Sequence, residues 1–179
     1  DADGDSVTET VNIAIDGNST PAVTAAVGVD VDEDELANGI AGGPGDDNGS
    51  ATGSITVDTG FDGLATISLS TTSSLTTLDN TPVLFTFVDD TLVGYTGEEP
   101  TSFDPNNVPG NVVLAVALGS YSTGASATGE QTISHTTTLY QPLKHSATDD
   151  PDTTDVETAF EDNLPLIVDV AITDTDGES

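Results

Sequence analysis

The chain has no cysteine, methionine or tryptophan, and aromatic residues make up only 4% of its 179 residues. Without cysteine there is no disulfide framework, the usual covalent support of a small extracellular domain. The core must come from Val, Leu, Ile and Ala, with five Phe and three Tyr at a few positions. An extracellular domain of this composition needs another stabilising element, and bound metal ions are the first candidate.

Basic residues are almost absent as well, since Lys144 alone stands against 32 acidic residues and the net charge is −31. One lysine cannot form a basic patch, so we expect no binding of nucleic acid or of an anionic membrane surface. The carboxylates must be hydrated, bind cations or be adapted to concentrated salt. Such acidity is also typical of disordered chains, but apolar runs such as NVVLAVAL (111–118) argue for a folded core.

Long hydrophobic segments are missing too. No stretch approaches transmembrane length, and no basic-then-apolar leader stands at the N-terminus. We therefore expect no direct insertion into a membrane. A fragment of a longer protein would lack both features, so neither absence assigns a compartment.

The sequence is rich in period-two alternation. In VTETVNIAI (7–15), Val7, Val11, Ile13 and Ile15 share one face, which is the pattern of a half-buried strand. Further strands are predicted at 22–31, 52–58, 64–70, 83–89, 91–95, 111–118, 131–140 and 166–173, and one short helix at 155–164. Many short strands separated by turns rich in Pro, Gly, Asn and Asp predict an all-β fold, an Ig-like antiparallel β-sandwich.

The length suits one domain with a connecting element. We assign residues 1–17 to a linking strand with an acidic junction motif, and residues 18–179 to the sandwich, which ends in a second such motif. The longest irregular stretch is predicted at 31–53. A loop of that length in a compact domain is usually functional or mobile.

Two acidic hexapeptides stand at the ends of the chain, DADGDS (1–6) and DTDGES (174–179). Each places three carboxylates on alternate residues around one glycine, and such crowded charges repel unless water or a cation screens them. Calcium takes about six to eight oxygen ligands in flexible geometry, so these turns are candidate calcium sites. The candidate ligands are Asp1, Asp3, Asp5, Asp174, Asp176 and Glu178, with Asp32 and Asp34 of the DEDE run (32–35) as further candidates.

For each of these acidic motifs the alternative is a solvated turn or charged face. An EF-hand is not supported, because Val11 and Asn12 stand near the position where its loop needs a glutamate. His135 and His145 lack the spacing and the cysteine partners of a zinc site. No G-x-S-x-G motif marks a nucleophile, so we expect no enzymatic activity.

Four stretches carry a resemblance to a known family: VDED (31–34), GSATGSITVDTGFDG (49–63), YQPLKHSAT (140–148) and EDNLPLIVDVAITDTDGES (161–179). In this order they resemble the tandem repeats of large RTX adhesins, which Gram-negative bacteria secrete through type I systems. The likeness covers most of the chain and is weakest across 96–130. Lys144 stands where those repeats usually carry an aspartate, so no metal role is carried over to 141–146.

The resemblance implies an Ig-like, calcium-binding extender module of an extracellular stalk at the cell surface, supporting adhesion and biofilm formation. Its partners would be the neighbouring repeats of the same chain, and the two hexapeptides would be junction sites completed by oxygens of the next repeat. Two other functions stay open. The loops at 31–53 or 96–110 would contact a glycan or protein in a binding module, although only Tyr95 and Phe103 are aromatic residues near them. A halophilic surface domain would instead spread its acid evenly, whereas here the acid clusters in turns.

Overall fold

The computed structural model describes residues 20–33, 36–37, 39, 49–145 and 164–179. Within these ranges there are eight strands and no helix, which confirms the predicted all-β class. The strands are β1 (Ala22–Val27), β2 (Ser50–Asp58), β3 (Leu64–Thr71), β4 (Leu84–Val88), β5 (Thr91–Tyr95), β6 (Val112–Leu118), β7 (Glu130–Leu139) and β8 (Val168–Asp174). The strand predicted at 7–15 lies outside the described residues, as does the helix predicted at 155–164 apart from its last residue.

The strands form two antiparallel sheets. One has six strands in the order β1-β2-β7-β6-β5-β4, and the other pairs β3 with β8. A single hydrophobic core draws on both sheets, with Ile55 of β2 and Ile133 of β7 from the first, and Leu69 of β3 and Ile172 of β8 from the second. Two antiparallel sheets that share one core are consistent with a β-sandwich.

The burial of each strand follows its place in the sheet. Residues 112–116 of the inner strand β6 are all buried, which explains why this segment is a continuous apolar run instead of an alternating one. The edge strand β1 is exposed along its whole length and ends at Val27, four residues before the predicted end at 31. Its pairing with β2 stops where Val27 meets Ser54, and Gly28 follows.

The predicted irregular stretch at 31–53 is wrong at its end, because residues 50–53 belong to β2. They pair with β7, where threonines offer matching hydroxyl groups. The hydroxyl oxygens of Ser50 and Thr138 lie 2.9 Å apart, and those of Thr52 and Thr136 lie 3.0 Å apart. Cross-strand hydroxyl pairs of this kind stabilise a sheet even where the sequence lacks apolar alternation.

The turn between β2 and β3 is held against the segment that precedes β7. The backbone N–H of Thr59 donates to Gly129 (3.1 Å), and the N–H of Gly129 donates to Gly60 (2.6 Å). The approach is so close at Gly63 that a Cβ there would lie 1.9 Å from the carbonyl oxygen of Gly124. These contacts fix the turn that carries Asp62.

Candidate metal centre

The pairing of β3 with β8 brings two acidic turns together. Leu64, the first residue of β3, lies opposite Asp174, the last residue of β8. In an antiparallel pair, residues just before one position face residues just after its partner. Asp62 therefore comes beside Asp176, although the two are far apart in sequence.

Asp174 is the most constrained member of this group. Its side chain is buried, with 2% of the residue exposed. One oxygen, Oδ1, accepts hydrogen bonds from the backbone N–H groups of Glu178 (2.8 Å) and Gly177 (3.0 Å). Gly177 adopts a φ of 96°, which closes the turn and which side-chain-bearing residues rarely adopt. The other oxygen, Oδ2, is buried and has no hydrogen-bond partner.

One carboxylate oxygen from each of Asp62, Asp174 and Asp176 lies within 4.8 Å of the other two. Calcium binds oxygens at about 2.3–2.6 Å, so two ligands on opposite sides of one ion lie about 5 Å apart. The spacing therefore fits one calcium ion held among the three carboxylates. A buried oxygen without a partner is the kind of ligand that a hard cation would satisfy.

The electrostatics of the group are those of carboxylates forced together. Contact with the Asp174 side chain, together with burial and the charges of Asp174 and Asp62, raises the pKa of Asp176 above its ordinary value. Burial also acts to raise the pKa of Asp174, but the Asp176 side chain and the N–H groups of the turn outweigh it, so this pKa is lowered. The pair thus favours one proton near Asp176, or a cation in its place.

The structure assembles this group from part of the predicted set. Asp174 and Asp176 are in it, while Glu178 contributes its backbone N–H to the turn and is not among the three clustered carboxylates. Asp32 joins no group of three ligands within the described part of the chain. The other predicted ligands, Asp1, Asp3, Asp5 and Asp34, lie outside the described residues.

Asp62 was missed by sequence reasoning. It belongs to DTGFDG (58–63), a stretch of turn-forming residues between the strands predicted at 52–58 and 64–70. Its one signal is position, because it stands two residues before a strand, as Asp176 stands two residues after one. Using that signal requires the pairing of β3 with β8, which the sequence alone does not provide.

A second buried carboxylate belongs to Glu33, in the DEDE run. Glu33 is 7% exposed, and its Oε1 accepts hydrogen bonds from the backbone N–H of Leu143 (2.7 Å) and from Nε2 of His145 (3.2 Å). Its Oε2 is buried without a partner. Gly39 lies directly against the Glu33 backbone, since a Cβ there would lie 2.0 Å from the Glu33 carbonyl oxygen. Glu33 thus ties the DEDE run to the segment after β7.

No known protein family, curated protein or solved structure matches this chain. The resemblance to adhesin repeats therefore rests on the quoted motifs. The described residues also contain no helix of the length and apolarity that crossing a bilayer demands.

Proposed function

We propose that this chain is a calcium-stabilised structural module, an Ig-like extender repeat in the stalk of an extracellular bacterial adhesin. The observation that carries the proposal is the Asp62, Asp174 and Asp176 group, with its buried and unpartnered Asp174 oxygen. Such a group is unfavourable in the folded protein unless a cation or proton occupies it. Supporting features are the all-β fold, the sequence motifs that resemble RTX adhesin repeats and the absence of cysteine.

A calcium ion at this position would connect two chain segments of the smaller sheet at a defined point. Asp62 precedes β3, while Asp174 and Asp176 end β8, so the ion would join both strands of the smaller sheet at one end. Binding to the folded state alone would stabilise it by mass action. In a secreted stalk this couples folding to the calcium-rich exterior, because the chain stays loose where calcium is scarce.

The first experiment is thermal unfolding of the whole chain in calcium, in chelator, and in chelator with multimolar sodium chloride. We expect calcium at about 100 times its Kd to raise the Tm by roughly 5–10 °C. Equal melting curves in calcium and chelator contradict the metal centre. Stabilisation by sodium chloride alone favours the halophilic alternative.

The stalk role is tested separately, by small-angle scattering on two copies joined in tandem. Calcium is expected to lengthen and stiffen the pair if the acidic turn lies at the junction and the next repeat adds ligands. The paired change Asp174→Ala and Asp176→Ala in the first copy should abolish that response. If both proteins extend equally, the acidic turn stabilises its own domain without stiffening the junction.

A further inference from the structure

The structure has an open cleft of about 410 Å³, with both polar and apolar lining, at the end of the large sheet where β5 and β7 finish. Its volume lies in the range of small-molecule sites, about 300–1,000 Å³. Four parts of the chain meet there, namely Ala37, the 77–81 turn, the start of the 96–110 insert and the segment after β7. The lining residues are Ala37, Thr77, Leu78, Asp79, Thr81, Thr96, Tyr140, Gln141 and Pro142.

Hydrogen bonds join these segments, so the cleft is held in shape. Thr77 forms a β-bridge with Leu143, and the N–H of Lys144 donates to Thr76 (2.8 Å). Leu143 in turn donates to the buried Glu33 carboxylate, and the Glu33 carbonyl accepts the N–H of Leu36 (2.8 Å), the neighbour of Ala37. A preformed site loses less entropy on binding than one that must be ordered by its ligand.

Asp79 is a fixed hydrogen-bond acceptor on this cleft. Its Oδ1 accepts the hydroxyl of Thr77 (2.5 Å) and the backbone N–H of Thr81 (3.2 Å). Hydrogen bonds from Thr77 and then Thr81 lower the pKa of Asp79, so the carboxylate is ionised at neutral pH. A carboxylate offers about four acceptor positions, and those not used by Thr77 and Thr81 remain for a ligand hydroxyl.

The lining of the cleft also includes an aromatic ring and an amide. Tyr140 is half-buried and packs against Phe103 of the insert, with ring centroids 6.4 Å apart and planes at 57°. The amide nitrogen of Gln141 donates to Val112 (2.7 Å) and Gly110 (3.0 Å), which fixes the amide and leaves its carbonyl oxygen out of these bonds. Fixed hydroxyl, amide and carboxylate groups beside an aromatic ring match a molecule with hydroxyl groups on one side and C–H groups on the other.

We propose that this cleft binds a neutral saccharide, with Asp79 accepting hydrogen bonds from its hydroxyl groups and Tyr140 packing against a face of the sugar ring. Neutral sugars are favoured over acidic ones because a net charge of −31 repels anions. This site is independent of the acidic cluster, since the two share no residue. If the chain is an extender module, as proposed above, each such repeat would also bind saccharide, so adhesion would occur along the stalk.

The test uses the whole chain in calcium, with the methyl glycosides of glucose, galactose, mannose and N-acetylglucosamine as probes. Binding is followed by saturation-transfer NMR and by amide chemical shifts. We expect at least one glycoside to shift the amides of 77–81 and 140–141. Asp79→Asn should weaken its affinity about tenfold, the loss of one hydrogen bond to a charged acceptor.

The matched control for Asp79 is Asp104→Asn. Asp104 is an exposed aspartate that likewise accepts a backbone N–H two residues on, from Asn106 (2.9 Å), and it does not line the cleft. Tyr140→Ala should also abolish binding, whereas Tyr140→Phe should retain it. If Tyr140→Ala unfolds the protein, Asp79→Asn still provides the test. The proposal is overturned if no glycoside shifts these amides, if Asp79→Asn and Asp104→Asn bind equally, or if only a cationic probe, N-acetyl-lysine amide, binds there.

Discussion

Asp174 and Glu33 present the same physical problem in two regions of the molecule. Each is a buried carboxylate with one oxygen that accepts two hydrogen bonds and a second oxygen without a partner. Their neighbours differ in kind. Asp174 lies among the carboxylates of Asp62 and Asp176, whereas Glu33 contacts the imidazole of His145, a group that can carry positive charge.

The difference indicates how each region is stabilised. Around Glu33 the compensating partners, the Leu143 N–H and His145, belong to the chain itself. Around Asp174 the nearest side chains add negative charge, so compensation must come from outside as a proton or a cation. We therefore expect the Asp174 region to respond to calcium and the Glu33 region to be indifferent to it.

The largest expected effect is on the calcium-dependent rise in Tm. It should distinguish Asp174 from Glu33 when each is replaced by the corresponding amide. Asp174→Asn keeps an oxygen for the turn N–H groups but removes a charged ligand, so it should abolish the calcium-dependent rise in Tm, roughly 5–10 °C. Its Tm in chelator should not fall, because the new amide can donate to the neighbouring carboxylates. Thermal unfolding with and without calcium measures both quantities.

Glu33→Gln is the matched partner of that experiment, and its calcium-dependent rise in Tm should equal that of the wild type. Asp104→Asn, an exposed aspartate outside both regions, controls for the loss of one negative charge. A calcium response that survives in Asp174→Asn would place the ion elsewhere in the chain.

The second effect concerns Glu33 itself. Glu33→Ala leaves the buried N–H of Leu143 without its acceptor, which costs about 1–3 kcal/mol. The loss should be the same in calcium and in chelator, since no cation is required there. Denaturant unfolding under both conditions measures it. If the loss appears only in calcium, Glu33 is itself part of a metal centre and the contrast with Asp174 is wrong.

The third effect is a dependence of calcium binding on pH. Because the pKa of Asp176 is raised above 3.8 in the folded protein, its proton stabilises the ion-free fold at low pH, and this contribution is lost as the pH rises through the raised pKa. The lowered pKa of Asp174 acts in the opposite sense: its contribution is present above 3.8 and is lost as the pH falls through the lowered value.

Calcium and the Asp176 proton compete for the same group, so the affinity should weaken as the pH falls toward that raised pKa. Calorimetric titration at neutral pH and at acidic pH should show weaker binding and proton release at the lower pH. In Asp176→Asn the remaining pH dependence of the calcium affinity should shift to lower pH. Proton release that is unchanged in this variant would assign the proton to another carboxylate.

The strands were predictable because they are local. Alternation in 64–70 and the continuous run in 111–118 report on which faces are buried, so β3 and β6 appear at nearly their predicted positions. The first two residues of β2 were missed, because Ser50 and Ala51 are polar or small and pair with threonines of β7. Threonine hydroxyl pairs leave no hydrophobic pattern.

Only part of the candidate site was predictable from the sequence. The crowding in DTDGES is visible in the sequence, and it led to Asp174 and Asp176. Asp62 depends on a pairing between distant strands, and no local pattern reports such a register. The sequence shows Glu33 only as one member of a charge run. The N–H that accounts for its burial belongs to Leu143, more than 100 residues away.

The smallest expected effect is the sharpest test of the carboxylate contact, and it concerns Asp176→Asn. Asp176 is exposed, so an ordinary surface aspartate at this position would tolerate the change without effect. If instead it repels Asp174, the new amide removes a charge and can donate to the unpartnered Asp174 oxygen. We then expect the Tm in chelator to rise by about 1–3 °C. In calcium the same variant lacks one of three ligands, so its Tm should fall below that of the wild type. The variant would therefore melt above the wild type in chelator and below it in calcium. Asp104→Asn should show no such reversal. A variant that melts with the wild type in both conditions would mean that Asp176 is only a hydrated surface group.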